Sequence, residues 1–430
     1  MAGIFSKIIS VTLFLMKNIL TIFFSCFAAI CYSQPPNQSS ISDSGKVEFK
    51  KQSAAEKPDY SAAYRILKNQ VKLFPNNAEL HYFLGYTIDR MNAFDGNTMF
   101  EIKMGKTVEA SEQFELVNKL SPQYKGEYVV LDPYAKLSSI WGSLAQSYLH
   151  RKLKDSAVWA FNEGKKRGGF IEPILHYNRQ MLNSCSKNAI LISNGDNITI
   201  PSWYLQEVEN LRTDITIVDA NLINTSWYPK YLKKEKQLNI SFTDNEIDSI
   251  DYVEFKPRYI TITNPKDSIQ KFTWQLKPTY GQYILKGDRI LLNILKQNLF
   301  ERDIYFNANS DTTWNLFLSD YLQDEGLVNK IRLKEIDLKG ASDTVSINFS
   351  DYTIDKLAAA EINKSQDAII VLNNYRWAYY NNIARLLFYK KKNKARILKN
   401  EMELKFPLSK LPYSFEGAAE YFKKLFSEID

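Results

Sequence analysis

The sequence predicts an α/β plus α protein: an N-terminal helical-hairpin array, a central parallel α/β module and C-terminal helical hairpins. Two patterns predict it. Apolar residues recur three and four apart from about Tyr60 to Leu182 and again after about Gly340. Between Ser186 and Gly340, short apolar runs instead alternate with tight polar turns and amphipathic segments. The bulk composition, 45% hydrophobic and 24% charged over 430 residues, is that of a chain able to bury a sizeable core.

The N-terminus is set apart first. Met16-Lys17-Asn18 is a short basic segment, Ile19 to Ile30 is apolar, and Cys31-Tyr32-Ser33 precedes Gln34. Residues 1–33 therefore read as a secretory signal with its start at Met16 and cleavage after Ser33. The apolar stretch falls short of the roughly 20 residues a membrane span requires, so an exported periplasmic or envelope protein without a transmembrane segment is expected. The alternative is anchoring by an uncleaved signal. Loss of the signal removes Lys7 and Lys17 and takes the formal charge from +7 to +5, too mild and too scattered for nucleic acid. It also removes Cys26 and Cys31, which leaves Cys185 alone, without an intramolecular disulfide and expected to be buried. With three His in the chain, no His/Cys cluster has metal spacing, and neither metal nor cofactor is expected. Residues 34–58, rich in Ser, Gln, Lys and Pro, read as a disordered tether.

Residues 59–185 carry the helical array. Tyr64, Leu67, Val71, Leu73 and Phe74 lie on one helix face, and the chain then turns at Pro75-Asn76-Asn77 into Ala78-Glu79-Leu80-His81-Tyr82-Phe83-Leu84-Gly85-Tyr86. Val117-Asn118-Lys119-Leu120-Ser121-Pro122 ends a helix in the same way, and Trp141-Gly142-Ser143-Leu144-Ala145 repeats the alternation of small and large residues that paired helices need for close approach. These words resemble tetratricopeptide repeats, which implies a protein-interaction array.

The pattern changes in residues 186–340. Ala189 to Ser193 is a short apolar run, Thr199 to Leu211 reads as a helix with Pro201 in its first turn, and Asp214 to Asp219 is a second apolar run: strand, helix, strand, as in a parallel βαβ unit. Tyr259 to Thr263 and Phe272 to Leu276 read as strands, Arg289 to Asn298 as a helix and Asp303 to Phe306 as the last buried strand, with Gln237 to Asp267 an irregular insertion. Residues 341–430 return to helical hairpins, in which Phe406-Pro407 ends a helix as Phe74-Pro75 does.

In an open parallel sheet, ligands bind at the carboxyl edge of the strands. There the sequence places Asn194-Gly195-Asp196-Asn197 after the first strand, Asp219, Asn221 and Asn224 after the second and Asn307 after the last, with Trp203, Trp227 and Tyr228 as candidate aromatic walls. Amides and carboxylates paired with aromatic faces suit a sugar. The same turn residues also serve a bare strand-to-helix corner, since Gly and Asn accept left-handed backbone and Asp and Asn cap helices. No Gly-x-Gly-x-x-Gly, phosphate loop or Gly-x-Ser-x-Gly is present, so nucleotide-binding and serine-hydrolase chemistry lack their parts.

The segment Asn188 to Tyr231, with Asn194-Gly195-Asp196-Asn197, Pro201, Trp203-Tyr204, Gln206-Glu207-Val208-Glu209, Arg212-Thr213-Asp214 and Leu222-Ile223-Asn224-Thr225-Ser226-Trp227-Tyr228, resembles the C-terminal soluble region of the bacterial family called domain of unknown function 2723, likened to protein O-mannosyltransferases. The likeness resumes at Asn298 with Glu301-Arg302-Asp303-Ile304-Tyr305-Phe306 and at Asp320 to Leu327. The family's membrane-spanning half has no counterpart here, and Ile198-Thr199-Ile200 replaces its acid after the turn. The resemblance implies a detached exported module linked to envelope glycosylation. The expectation is a non-catalytic scaffold with an envelope protein partner on the helical repeats and a glycan on the α/β module. The alternative is a carbohydrate-active enzyme using Asp196 and Asp219.

Overall fold

The computed structural model describes residues 39–93, 95–308, 313–334 and 349–429. The expected signal at 1–33, residues 34–38 of the expected tether and residues 341–348 lie outside the described residues. Among the described residues, seven α-helices build the first part: α1 Ser39–Ser53, α2 Ser61–Leu73, α3 Ala78–Asn92, α4 Met104–Leu120, α5 Pro133–His150, α6 Lys154–Lys166 and α7 Glu172–Ser184. Their boundaries follow local chemistry. Asn77 caps α3 by accepting from the N–H groups of Glu79 and Leu80, both at 3.1 Å, and Asp132 caps α5 with Pro133 at its first position. Gly85 is needed where α3 meets α4, since a Cβ there would lie 2.8 Å from the Phe114 ring.

The tether expectation fails over Ser39–Ser53, which is helix α1. Phe49 explains the difference: its ring is 2% exposed, with ring centroids 5.5 Å from both Tyr60 and Phe83. One buried aromatic contributes about 1.5–3 kcal/mol, enough to dock a short helix whose average composition looks like a linker.

The α/β part opens with β1 Ile190–Ser193, α8 Asp196–Glu207, β2 Thr216–Asp219, α9 Trp227–Glu235 and α10 Asp244–Ser249. It continues with β3 Val253–Glu254, β4 Arg258–Asn264, β5 Asp267–Leu276, β6 Tyr283–Ile284, α11 Lys286–Asn298, β7 Ile304–Asn307, β8 Leu322–Asp324 and β9 Val328–Ile331. The main sheet has the order β2-β1-β7-β9-β8. Leu191 of β1 sits in parallel register with Ile217 and with Tyr305, and all three strands are fully buried runs, as parallel strands are when both faces are covered.

Three expectations are corrected here. Asp303 to Phe306 is not the last strand, because β9 pairs antiparallel with β7 and β8 with β9, so the sheet is mixed. β4 and β5 form a separate antiparallel hairpin outside that sheet, and the supposed irregular insertion contains α10, capped by Thr243 and Glu246, together with β3 and the whole of β4. The helix after β1 starts at Asp196, so Pro201 lies inside it. Proline has no N–H for the carbonyl of Asn197 four residues back; the buried Asn178 side chain donates to that carbonyl instead, at 2.9 Å.

The last part is α12 Ala359–Asn363, α13 Gln366–Phe388, α14 Lys392–Lys405 and α15 Ala418–Ser427. Arg376, 2% exposed, holds the turn after α14 by donating to the carbonyls of Phe406 and Leu411, each at 2.6 Å. Helix α13 lies against α7, with Tyr375 and Tyr177 rings 5.5 Å apart. One hydrophobic core runs from Phe49 to Ile429 through all three parts.

Candidate functional site

At the carboxyl edge, the ends of β1, β2 and β7 bring Asn194, Asp219, Asn221 and Asn307 together, as the parallel pairing requires. Asn307 Oδ1 accepts from the backbone N–H of Asn194 at 3.0 Å, and the Asn221 amide donates to Asn194 Oδ1 at 3.0 Å. Asp219 is buried and fully engaged: one oxygen accepts from the Thr199 hydroxyl at 2.7 Å, the other from the N–H groups of Asn221 and Leu222 at 2.9 and 2.8 Å. Burial pushes its carboxyl up to about 6, against the pull of the Thr199 hydrogen bond and with a further push from the charge of Asp196.

The other expected residues face elsewhere. Gly195, at φ +93, turns the chain so that Asp196 is exposed and accepts from Ser139 of α5 at 2.7 Å. Asn197 donates to Asp367 of α13 at 2.7 Å. Asn224 accepts from the N–H of Gly287 at the start of α11, at 2.8 Å. The expected aromatic walls are corrected: Trp203, Trp227 and Tyr228 are 5%, 8% and 1% exposed. They are core residues: the Trp203 and Tyr228 rings lie 6.3 Å apart, and Trp227 packs against His150 of α5 at 5.1 Å. The Tyr228 hydroxyl accepts from the N–H of Asp219 at 3.1 Å, and the Trp227 indole donates to the Gly96 carbonyl at 2.7 Å. The carboxyl edge thus uses its polar groups mainly on one another.

The opposite, amino edge holds a polar cleft of about 620 Å³ whose lining includes Gln206, Asn210, Asn239, Asn298 and Arg302. Asn298, 1% exposed, donates to the carbonyls of Asn239 and Ile294, each at 2.8 Å, and its Oδ1 has no partner among the described residues. Arg302 donates to the carbonyls of Asn188 and Ala189 and to the Thr216 hydroxyl, at 2.8, 3.0 and 2.7 Å. Burial alone lowers its pKa. Sequence reasoning missed this edge because the carboxyl-end rule points away from it. Its amides, Gln206, Asn210, Gln237, Asn239 and Asn298, lie too far apart in the chain to form a motif.

Residues 175–268 and 255–348 match the family TMEM260-associated domain 2, a stretch that takes in the whole main sheet and both of its edges. No curated protein and no solved structure matches the chain. No helix among the described residues is long and apolar enough to cross a membrane, and among them no group of three or more His, Cys, Asp or Glu is placed to hold a metal ion.

Proposed function

We propose that this is an exported, envelope-associated interaction scaffold whose helical array holds a protein partner and whose α/β module is a glycan-binding surface. The observation that carries it is a groove of about 660 Å³ at the hairpin ends of the array, lined by residues that include Phe74, Pro75, Asn77, Tyr124 and Lys125. Leu73 beside it is 69% exposed. An apolar residue turned to water next to a concave mixed surface suits a protein contact. The resemblance of the flanks to tetratricopeptide repeats supports the same reading, and the match to TMEM260-associated domain 2 supports a glycosylation-related or membrane-protein-associated setting. Export rests on residues 16–33, and N-terminal sequencing of the secreted chain tests it.

Affinity capture from envelope extracts, run with the intact chain and with Leu73→Glu side by side, tests the array. A partner retained by the first and lost by the second is expected. The same proteins on both, or turnover of a sugar donor by the purified chain, would reverse the assignment.

The competing reading, a carbohydrate-active enzyme, is favoured by the Asp219 carboxyl at about 6, a range useful to a general acid. Against it stands the engagement of both Asp219 oxygens by three internal donors. An activity abolished by Asp196→Asn in a folded protein would decide for the enzyme.

A further inference from the structure

The amino-edge cleft contains two unmet demands. Asn298 Oδ1 is a buried acceptor without a donor among the described residues, a state that costs roughly 1–3 kcal/mol until something supplies one. Among the described residues, Arg302 is a half-buried cation that faces only carbonyls and a hydroxyl, with no carboxylate in ion-pair contact and with one guanidinium nitrogen making no hydrogen bond. The acids at the rim are already taken: Glu207 by Lys236 at 3.1 Å, Asp214 by Arg212 at 2.9 Å and Glu235 by Lys152 at 3.0 Å. Arg302 and Lys154 are then the lining cations in no ion pair among the described residues, so the cleft suits an anion as well as a hydrogen-bond donor.

The remaining lining narrows the ligand. Asn210, Gln237 and Asn239 are exposed, and their side-chain amides bond to no other described residue. Primary amides offer donor and acceptor together, which complements a hydroxyl. No aromatic residue is among the lining residues, so stacking contributes little. Arg212 and Gln237, beside and on the rim, are held at positive φ, a conformation that long side chains adopt at a cost.

We propose that the amino-edge cleft binds a sugar acid, its hydroxyls on the amides of Asn210, Asn239 and Asn298 and its carboxylate on Arg302. The proposal rests on the reading of the α/β module as a glycan-binding surface and places that surface on the edge opposite the NGDN turn.

Calorimetric titration of the full chain with glucuronate, glucose and acetate tests it. Saturable glucuronate binding is expected, at least tenfold tighter than either glucose or acetate. Because Arg302 also braces the backbone of Asn188 and Ala189, the variant of choice is the exposed pair Asn210→Ala with Asn239→Ala, expected to keep the melting temperature and weaken glucuronate at least fivefold. Arg302→Lys, which preserves charge and loses the planar fork, is expected to narrow the preference for glucuronate over glucose. Equal affinity for glucose and glucuronate would overturn the proposal and leave the general glycan reading intact. An absence of saturable binding to either sugar would overturn both, and unchanged affinity in the paired variant would overturn the location.

Discussion

Asp132 and Asp367, distant in sequence, each accept a hydrogen bond from the other's backbone N–H, at 2.6 Å into Asp367 and 2.9 Å into Asp132. The pair joins the start of α5 to the start of α13. Ser365 donates to Asp132, and Asn197 of the NGDN turn donates to Asp367, so the helical array, the α/β module and the C-terminal helices meet at one point.

Burial raises both carboxyls, and the charge of Asp132 raises Asp367 further. The rings of Tyr82, Tyr86 and Tyr128 lie near enough for the acids to perturb them, and no cation is among the groups that shift either acid. An acid raised on folding contributes stability that is complete below its unfolded value of about 3.9 and is lost as pH rises through the folded value. Asp219, raised to about 6, acts in the same sense. Asp214 acts oppositely: Arg212 holds it down to about 2, so its share is lost in stronger acid. Melting temperatures should fall as pH rises from about 4 past 6, and Asp367→Asn should flatten that slope and melt higher at neutral pH. A flat profile in the wild type would show that the pair carries no such linkage.

A second junction has no tolerance for volume. A Cβ added at Gly142 of α5 would lie 2.1 Å from Ile200 Cγ2 of α8. Overpacking of this kind costs about 1–3 kcal/mol, so Gly142→Ala should lower the denaturation midpoint by that amount. In the Ile200→Ala background the penalty should shrink, because the clashing methyl is gone. Equal penalties in both backgrounds would mean that α5 and α8 do not pack here as described.

The helices were legible because burial of one face imposes a period on the sequence. Gly85 and Gly142 both mark close approaches, as the alternation of small and large residues implied. β1, β2 and β7 were legible as fully apolar runs. β8 and β9 were not: Leu322–Asp324 is only partly buried and Val328–Ile331 is buried at its ends, so neither shows an apolar run. Of the expected site, the sequence placed Asn194, Asp219, Asn221 and Asn307 on a common edge. It could not show that Asp219 would be occupied by Thr199, Asn221 and Leu222, nor that Trp203, Trp227 and Tyr228 would turn into the core. The amino-edge cleft was hidden because its residues, scattered from Lys154 to Arg302, have no common spacing.

Helix α1 is expected to be part of the folded unit. Phe49→Ala should cost about 3–5 kcal/mol, the usual loss for a core phenylalanine, and should speed proteolysis at Lys50 and Lys51 in the last turn of α1. Cleavage there at the wild-type rate, with an unchanged melting temperature, would mean that Ser39–Ser53 does not dock.

Asn178 and Pro201 are coupled through one carbonyl. Pro201 leaves the Asn197 carbonyl without its helical N–H, and Asn178 supplies the donor at 2.9 Å while also donating to Ile174 at 2.9 Å. Asn178→Ala should therefore destabilise by about 1–3 kcal/mol, the cost of a buried group left unpaired. Pro201→Ala restores a backbone N–H that can bond the same carbonyl, so Asn178→Ala should cost less in that background. A coupling energy of about 0.5 kcal/mol or more in a double-mutant cycle is expected for residues sharing one partner. Additive effects would mean that Asn178 acts only through Ile174 and the Ser202 hydroxyl, 3.1 Å from its Oδ1, and that the proline inside α8 is tolerated without a substitute donor.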